Sequence, residues 1–159
     1  MGGRLGSWPP AEIAPADVLP GSVAAIMTGV LKTVSVDASL EEAQRLMRHY
    51  EIHHLLLEDR GHIVAVVSDR NLARALGPTL ANRDQEHRRH RPVFQAAQYH
   101  LVTVHHETSV EDAARLLLDE DVSSLPVVNG ADEIVGMITS RDLLRELASR
   151  GANWERLAS

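Results

Sequence analysis

The chain has 159 residues, 44% hydrophobic and 24% charged, which suits either one globular domain or two small similar ones. Only 3% of the residues are aromatic and the net charge is -6, which argues against a stacking platform for single strands or a broad nucleic-acid surface. There is no cysteine, which excludes disulfides and thiol catalysis, and no run of about 18 apolar residues that would predict a membrane span.

Residues 1–22 hold Pro9, Pro10, Pro15 and Pro20, and three of the first six residues are glycine. This reads as an irregular N-terminal arm, with Trp8 and Ile13 as its docking candidates. It lacks the basic start and apolar core of a secretory signal, so the expected location is cytoplasmic.

A first unit follows over 23–76. Residues 33–36 read as extended. Ser39 then opens a helix, with Glu42 three places on as in a capping box, and Leu40, Ala43, Leu46, Met47 and Tyr50 form one apolar stripe. Two strands, 54–58 and 62–68, flank the turn signal Asp59-Arg60-Gly61, and a helix over 69–76 closes the unit. The connector 77–92 is polar and carries His87-Arg88-Arg89-His90-Arg91. It reads as a solvated loop, or alternatively as a patch for phosphate or an acidic partner.

The second unit, 93–149, repeats the first. At an offset of 70, Ser39-Leu40-Glu41-Glu42-Ala43 falls on Ser109-Val110-Glu111-Asp112-Ala113, and Arg45-Leu46-Met47 falls on Arg115-Leu116-Leu117. At an offset of 71, Ser68-Asp69-Arg70-Asn71-Leu72 falls on Thr139-Ser140-Arg141-Asp142-Leu143. The one extra residue lies between two apolar runs, where the turn around Asn129-Gly130 absorbs it. Both units read β-α-β-β-α, and residues 150–159 form a tail.

Three segments carry a family resemblance: Ile26-Met27-Thr28, Val122-Ser123-Ser124-Leu125-Pro126-Val127-Val128, and the run from Ile134 to Leu144. The chain resembles the cystathionine β-synthase (CBS) domain family, and the pair of units resembles a stand-alone Bateman module. The resemblance implies an α/β fold of two tandem CBS units, packed through their sheets with pseudo-twofold symmetry. It also implies a homodimer and two clefts for adenosine-containing ligands.

The most informative tetrad is Thr139-Ser140-Arg141-Asp142, where a strand gives way to a helix. Helix-start N–H groups attract anions, a Thr hydroxyl can donate to a phosphate, and a carboxylate can accept from two ribose hydroxyls. The same spacing also makes a capping box, and the two readings are compatible. By resemblance, the main cleft comprises Thr139, Arg141, Asp142 and Met137, with Met27, Lys32, Ile52, His53 and His54 contributed by the first unit. A second, weaker cleft comprises Ser68, Arg70, Asn71 and Val66, with Ala97, Val122, Ser123 and Ser124 contributed by the second. Asn71 stands where the family pattern has the ribose-binding carboxylate, and an uncharged acceptor binds hydroxyls less strongly. Packing alone is the simpler reading of Ile52 or Val122.

The nine histidines include the adjacent pairs His53-His54 and His105-His106, whose members point to opposite faces of a strand, so no metal site is expected. No nucleophile elbow, Walker loop or His-Glu-x-x-His segment is present. The leading expectation is therefore a non-enzymatic regulatory module. It would sense AMP, ADP or ATP, without a catalytic cofactor, and signal to an unidentified target protein. The alternative is a ligand-independent dimerisation or protein-interaction scaffold. A phosphohydrolase built on the histidines is the remaining option. For dimerisation, the expected surface is Ala75, Leu76, Leu143, Leu144 and Leu147.

Overall fold

The computed structural model describes residues 6–8, 12–77 and 83–150, the side chains of 6–8 and 83–85 excepted. The chain divides into two compact units. The expected tail 150–159 lies outside the described residues except for Arg150.

In the first unit, β2 (Leu31–Ser35), β3 (His54–Asp59) and β4 (His62–Ser68) form a sheet to which β1 (Gly6–Trp8) adds an edge, in the order β1-β2-β3-β4. β2 and β3 run parallel, joined through helix α1 (Leu40–His49), and β3–β4 is an antiparallel hairpin. Helix α2 (Asp69–Leu76) follows β4 directly. α1 forms where its signals predict. The Ser39 hydroxyl accepts from the Glu42 N–H at 3.1 Å, acids fill the first turn, and Arg48 and His49 complement the negative end of the helix dipole. Leu40, Ala43, Leu46 and Met47 are buried against Leu55, Leu57, Ala65, Val67 and Leu72. Burial of each large side chain contributes about 1.5–3 kcal/mol, so this face holds the helix to the sheet.

The second unit repeats the plan with β5 (Val104–His105), α4 (Val110–Asp119), β6 (Ser124–Val128), β7 (Ile134–Thr139) and α5 (Ser140–Arg150), in the sheet order β5-β6-β7. The two hairpins share a register shift, between Leu57 and Glu58 in one and Val127 and Val128 in the other. Their turns differ. Arg60 and Gly61 both have positive φ, as a tight two-residue turn requires. The longer loop closes through the Asn129 side chain, which accepts from the N–H groups of Ala131 (2.9 Å) and Glu133 (3.0 Å). The extra residue of the second repeat is absorbed here.

The structure departs from the sequence reading in three places. The N-terminal arm is not irregular throughout, because Gly6–Trp8 pairs antiparallel with β2, Gly6 opposite Thr33 and Trp8 opposite Leu31. Three residues are too short to show a period of two, and the strand forms because the free edge of β2 supplies its hydrogen bonds. Ile13 does dock, against the core of the second unit. The connector is not a plain loop, since Arg83–Arg89 forms helix α3. With no apolar stripe in it, hydrophobic periodicity cannot reveal this helix. An ion pair from Arg89 to Glu41 (3.7 Å) ties it to α1, and His90 Nε2 lies 3.5 Å from the Glu86 carboxylate, so part of the basic run is occupied.

The third concerns where the lead segments pack. The segment ahead of each repeat packs in the other repeat's compact unit. Residues up to Val30 group with Val102 onward, and residues up to Leu101 group with Leu31 onward. Val23 donates to the Thr108 carbonyl and Val110 donates to that of Gly21. At the matching positions Val93 donates to the Ala38 carbonyl and Leu40 donates to that of Arg91. Val23 and Val93 are fully buried at these junctions.

Candidate functional site

The end of β7 delivers Thr139 to the start of α5. Thr139 accepts from the Asp142 N–H at 3.3 Å, and the Asp142 carboxylate accepts from the Thr139 N–H at 2.8 Å and from its hydroxyl at 2.7 Å. This is a closed capping box, so the simpler of the two readings of the tetrad is realised in the fold. Asp142 Oδ2 takes both Thr139 bonds, while Oδ1 faces Arg145, whose guanidinium donates at 3.3 Å. The Asp142 side chain is only 12% exposed and that of Arg145 is 71% exposed. A carboxylate and a hydroxyl therefore lie side by side at a helix start, with one carboxylate oxygen facing an exposed cation. Arg141 is exposed beside them.

Met27 and Met137 belong to this same end. Thr28 and Met137 exchange backbone hydrogen bonds of 2.9 and 3.0 Å, and Met27 packs over Gly136, where an added Cβ would collide with its Sδ. Sequence position assigns Met27 to the first unit, but this bridge holds it in the second. Ser124 pairs with Thr139 across β6–β7, and the Ser123 carbonyl accepts from the Ser140 N–H at 3.0 Å. Val122 packs against the unit's core.

The first unit builds the matching arrangement. Ser68 accepts from the Asn71 N–H at 3.1 Å, while Asn71 Oδ1 accepts from the Ser68 N–H at 3.0 Å and from its hydroxyl at 2.6 Å. Gln98 and Val66 exchange backbone bonds of 3.1 and 2.8 Å, the counterpart of the Thr28–Met137 bridge. Ala97 therefore packs in the first unit's core, although its position in the sequence assigns it to the second. His54 pairs with Ser68 across β3–β4. His53 Nδ1 lies 2.8 Å from the Asp69 carboxylate, and its carbonyl accepts from the Asp69 N–H at 2.9 Å. The Lys32 ammonium sits 4.6 Å from the centre of the Tyr50 ring, a cation–π contact that occupies it locally. Ile52 packs against the core, and Arg70 is exposed.

Sequence reasoning missed Arg145 and Asp69 as partners of site residues. The i,i+3 spacing of Asp142 and Arg145 was a usable signal for the first. The pairing of Asp69 with His53 depends on the β4–α2 junction lying beside the start of β3, which no local pattern reveals. Among the described residues, no group of three or more His, Cys, Asp or Glu side chains is arranged to hold a metal ion. No described helix is long and apolar enough to cross a membrane.

Comparison with known proteins finds that the CBS domain family model matches residues 23–78 and 93–149. The CBS domain-containing protein YhcV of Bacillus subtilis (strain 168) is 29% identical over 122 residues, spanning 77% of this chain and 82% of the relative. Among solved structures, that of CBSX2 in complex with AMP is 27% identical, with a TM-score of 0.64 over 82% of this chain and 98% of that one. CBSX2 is a CBS-pair protein from Arabidopsis thaliana. An uncharacterized conserved protein from Pyrococcus horikoshii aligns with a TM-score of 0.68 at 25% identity, over 82% of this chain and 92% of that one.

Proposed function

The chain belongs to the CBS domain family, and from that premise we propose that it is a regulatory module binding AMP, ADP or ATP at the start of α5. The observation that carries this reading is the pairing of Thr139 with Asp142, a hydroxyl and a largely buried carboxylate at the first turn of a helix. The AMP complex of the similar protein CBSX2 supports the ligand class. Asp142 accepts from the ribose hydroxyls, the Thr139 hydroxyl turns from Asp142 to a phosphate oxygen, and the first N–H groups of α5 add to the anion's attraction. Met27, partly buried over Gly136, supplies apolar, adaptable surface near the end of β7, which suits an adenine ring in a chain so poor in aromatics, while Met137 is buried.

Binding free energy then biases the module's conformation, and a target protein reads the change. The module acts as a homodimer. Leu144 and Leu147 on α5 are 64% and 66% exposed, and they supply the apolar surface that a second copy covers. Of the other residues expected to form that surface, Leu76 is buried and Ala75 and Leu143 pack against their own cores.

The direct test is calorimetry of the full chain with AMP, ADP and ATP. A saturable heat with at least one is expected, and no heat with any of them, with circular dichroism showing a folded chain, overturns the reading. One observation favours a second reading, a ligand-independent scaffold: Thr139 and Asp142 already satisfy each other. Pull-down of the target with and without nucleotide separates the two, because a scaffold captures the same partner to the same extent in both.

A further inference from the structure

One buried polar group takes no part in the site above. His106 is 9% exposed, and its Nδ1 has no hydrogen-bond partner among the described residues. It follows β5 directly, in the loop that receives the lead segment. Its N–H donates to the Val128 carbonyl at 2.9 Å, and its carbonyl accepts from the Ala24 N–H at 3.1 Å. Two residues on, the Thr108 carbonyl accepts from the Val23 N–H at 2.9 Å. At the matching position of the first repeat stands Val36, whose N–H donates to the Glu58 carbonyl and whose side chain packs against the core. The second repeat thus places an imidazole where the first places an apolar side chain. Adjacent residues of a strand point apart, but His106 lies past the end of β5, and its ring centre is 4.4 Å from that of His105.

A neutral imidazole carries one N–H and can leave Nδ1 bare. An imidazolium carries two and must put one on Nδ1, where no acceptor meets it. A buried charge without a partner costs far more than a buried neutral ring. The turn Val23–Ala25 and strands β6 and β7 carry no titratable side chain. The acids around the loop are engaged elsewhere or exposed. Glu107 lies 3.6 Å from His105 Nδ1, Glu111 lies 3.2 Å from Arg150, and Asp112 lies 2.7 Å from Arg115. Glu133 accepts from Asn129 at 2.9 Å, and Asp132 is exposed in the β6–β7 turn. A proton taken by His105 meets Glu107 and adds a like charge beside the His106 ring.

We propose that His106 makes the attachment of the lead segment sensitive to protons. With the ring neutral, residues 21–28 are held on the second unit. Protonation of His106 is accommodated by opening this junction, which frees the lead segment and takes Met27 off Gly136. The opened junction binds one more proton than the closed one, so the closed form loses stability as pH falls through the histidine range. The switch needs no ligand and stands apart from the nucleotide reading.

Urea melts of the full chain from about pH 8 to about pH 5 test it by comparing wild type with His106→Val. The remaining histidines are common to both chains, so the difference isolates His106. At the upper end the variant is expected to be at least as stable as wild type. On acidification the wild-type folded-to-unfolded ratio is expected to fall faster than that of the variant, by up to about tenfold per pH unit. His106→Gln, which stays neutral and keeps polar atoms, takes the place of the valine variant if that does not fold. Hydrogen exchange, corrected for intrinsic rates, locates the opening. Toward acid pH the Val23 and Ala24 amides are expected to lose protection relative to that of Val93, which makes the matching bond in the first unit. His106→Val is expected to abolish that difference. Parallel pH profiles in wild type and variant, a steeper loss in the variant, or equal loss of protection at Val23 and Val93 overturns the proposal.

Discussion

Gly136→Ala tests how the Met27 segment is held against the second unit. At the equivalent position of the first unit stands Ala65, fully buried and tolerated. At Gly136 an added Cβ collides with Met27 Sδ and comes within 3.1 Å of both Met27 Cγ and the Thr28 carbonyl oxygen. The thioether can swing away, since Met is unbranched and adaptable. The carbonyl cannot move freely, because Thr28 is tied to Met137 by bonds of 2.9 and 3.0 Å. Overpacking of this kind costs about 1–3 kcal/mol. For a chain of this size that lowers Tm by roughly 2–4 °C per kcal/mol. The assay is a double-mutant cycle by thermal melting with Gly136→Ala, Met27→Ala and both. The collision with Sδ predicts that Gly136→Ala costs less in the Met27→Ala background, with a coupling of about 0.5–3 kcal/mol. Equal costs in the two backgrounds would refute the claim that Met27 packs on Gly136.

Arg145→Ala is expected to raise nucleotide affinity about two- to fivefold in calorimetry, because an exposed ion pair of about 0–1 kcal/mol then no longer competes for Asp142. A loss of affinity would mean that Arg145 contacts the ligand instead. Leu144→Glu with Leu147→Glu is expected to yield a monomer by sedimentation at micromolar concentration, where a dimer is expected for wild type. A monomeric wild type contradicts the assignment of that surface. Ser109→Ala removes the acceptor for the Asp112 N–H (3.0 Å) and is expected to destabilise the chain by about 0.5–2 kcal/mol in denaturant melts.

The repeat was legible because each unit spells the same local physics. Ser39 and Ser109 cap helices, apolar stripes follow them, and turn residues separate short apolar runs. These signals lie within a few residues of one another, and the fold obeys them. The Thr139–Asp142 and Ser68–Asn71 boxes were readable for the same reason. The exchange of segments was not, because Val23 and Val93 carry no mark of which repeat receives them. Their hydrogen bonds to Thr108 and Ala38 exist only in the folded chain. Met27 and Ala97 therefore pack in the compact unit opposite to the repeat in which sequence order places them. β1 depends on the open edge of β2, and α3 on charges rather than an apolar face, so neither declares itself locally.

Binding of an adenine nucleotide at the Thr139/Asp142 end is the proposal on which the regulatory reading depends. Titration of AMP, ADP and ATP into wild type, Asp142→Ala and Asn71→Ala by calorimetry tests it most directly. A saturable heat is expected in wild type, weakened more by Asp142→Ala than by Asn71→Ala. Equal losses in the two variants, or no heat from the folded wild type with any of the three, would contradict it.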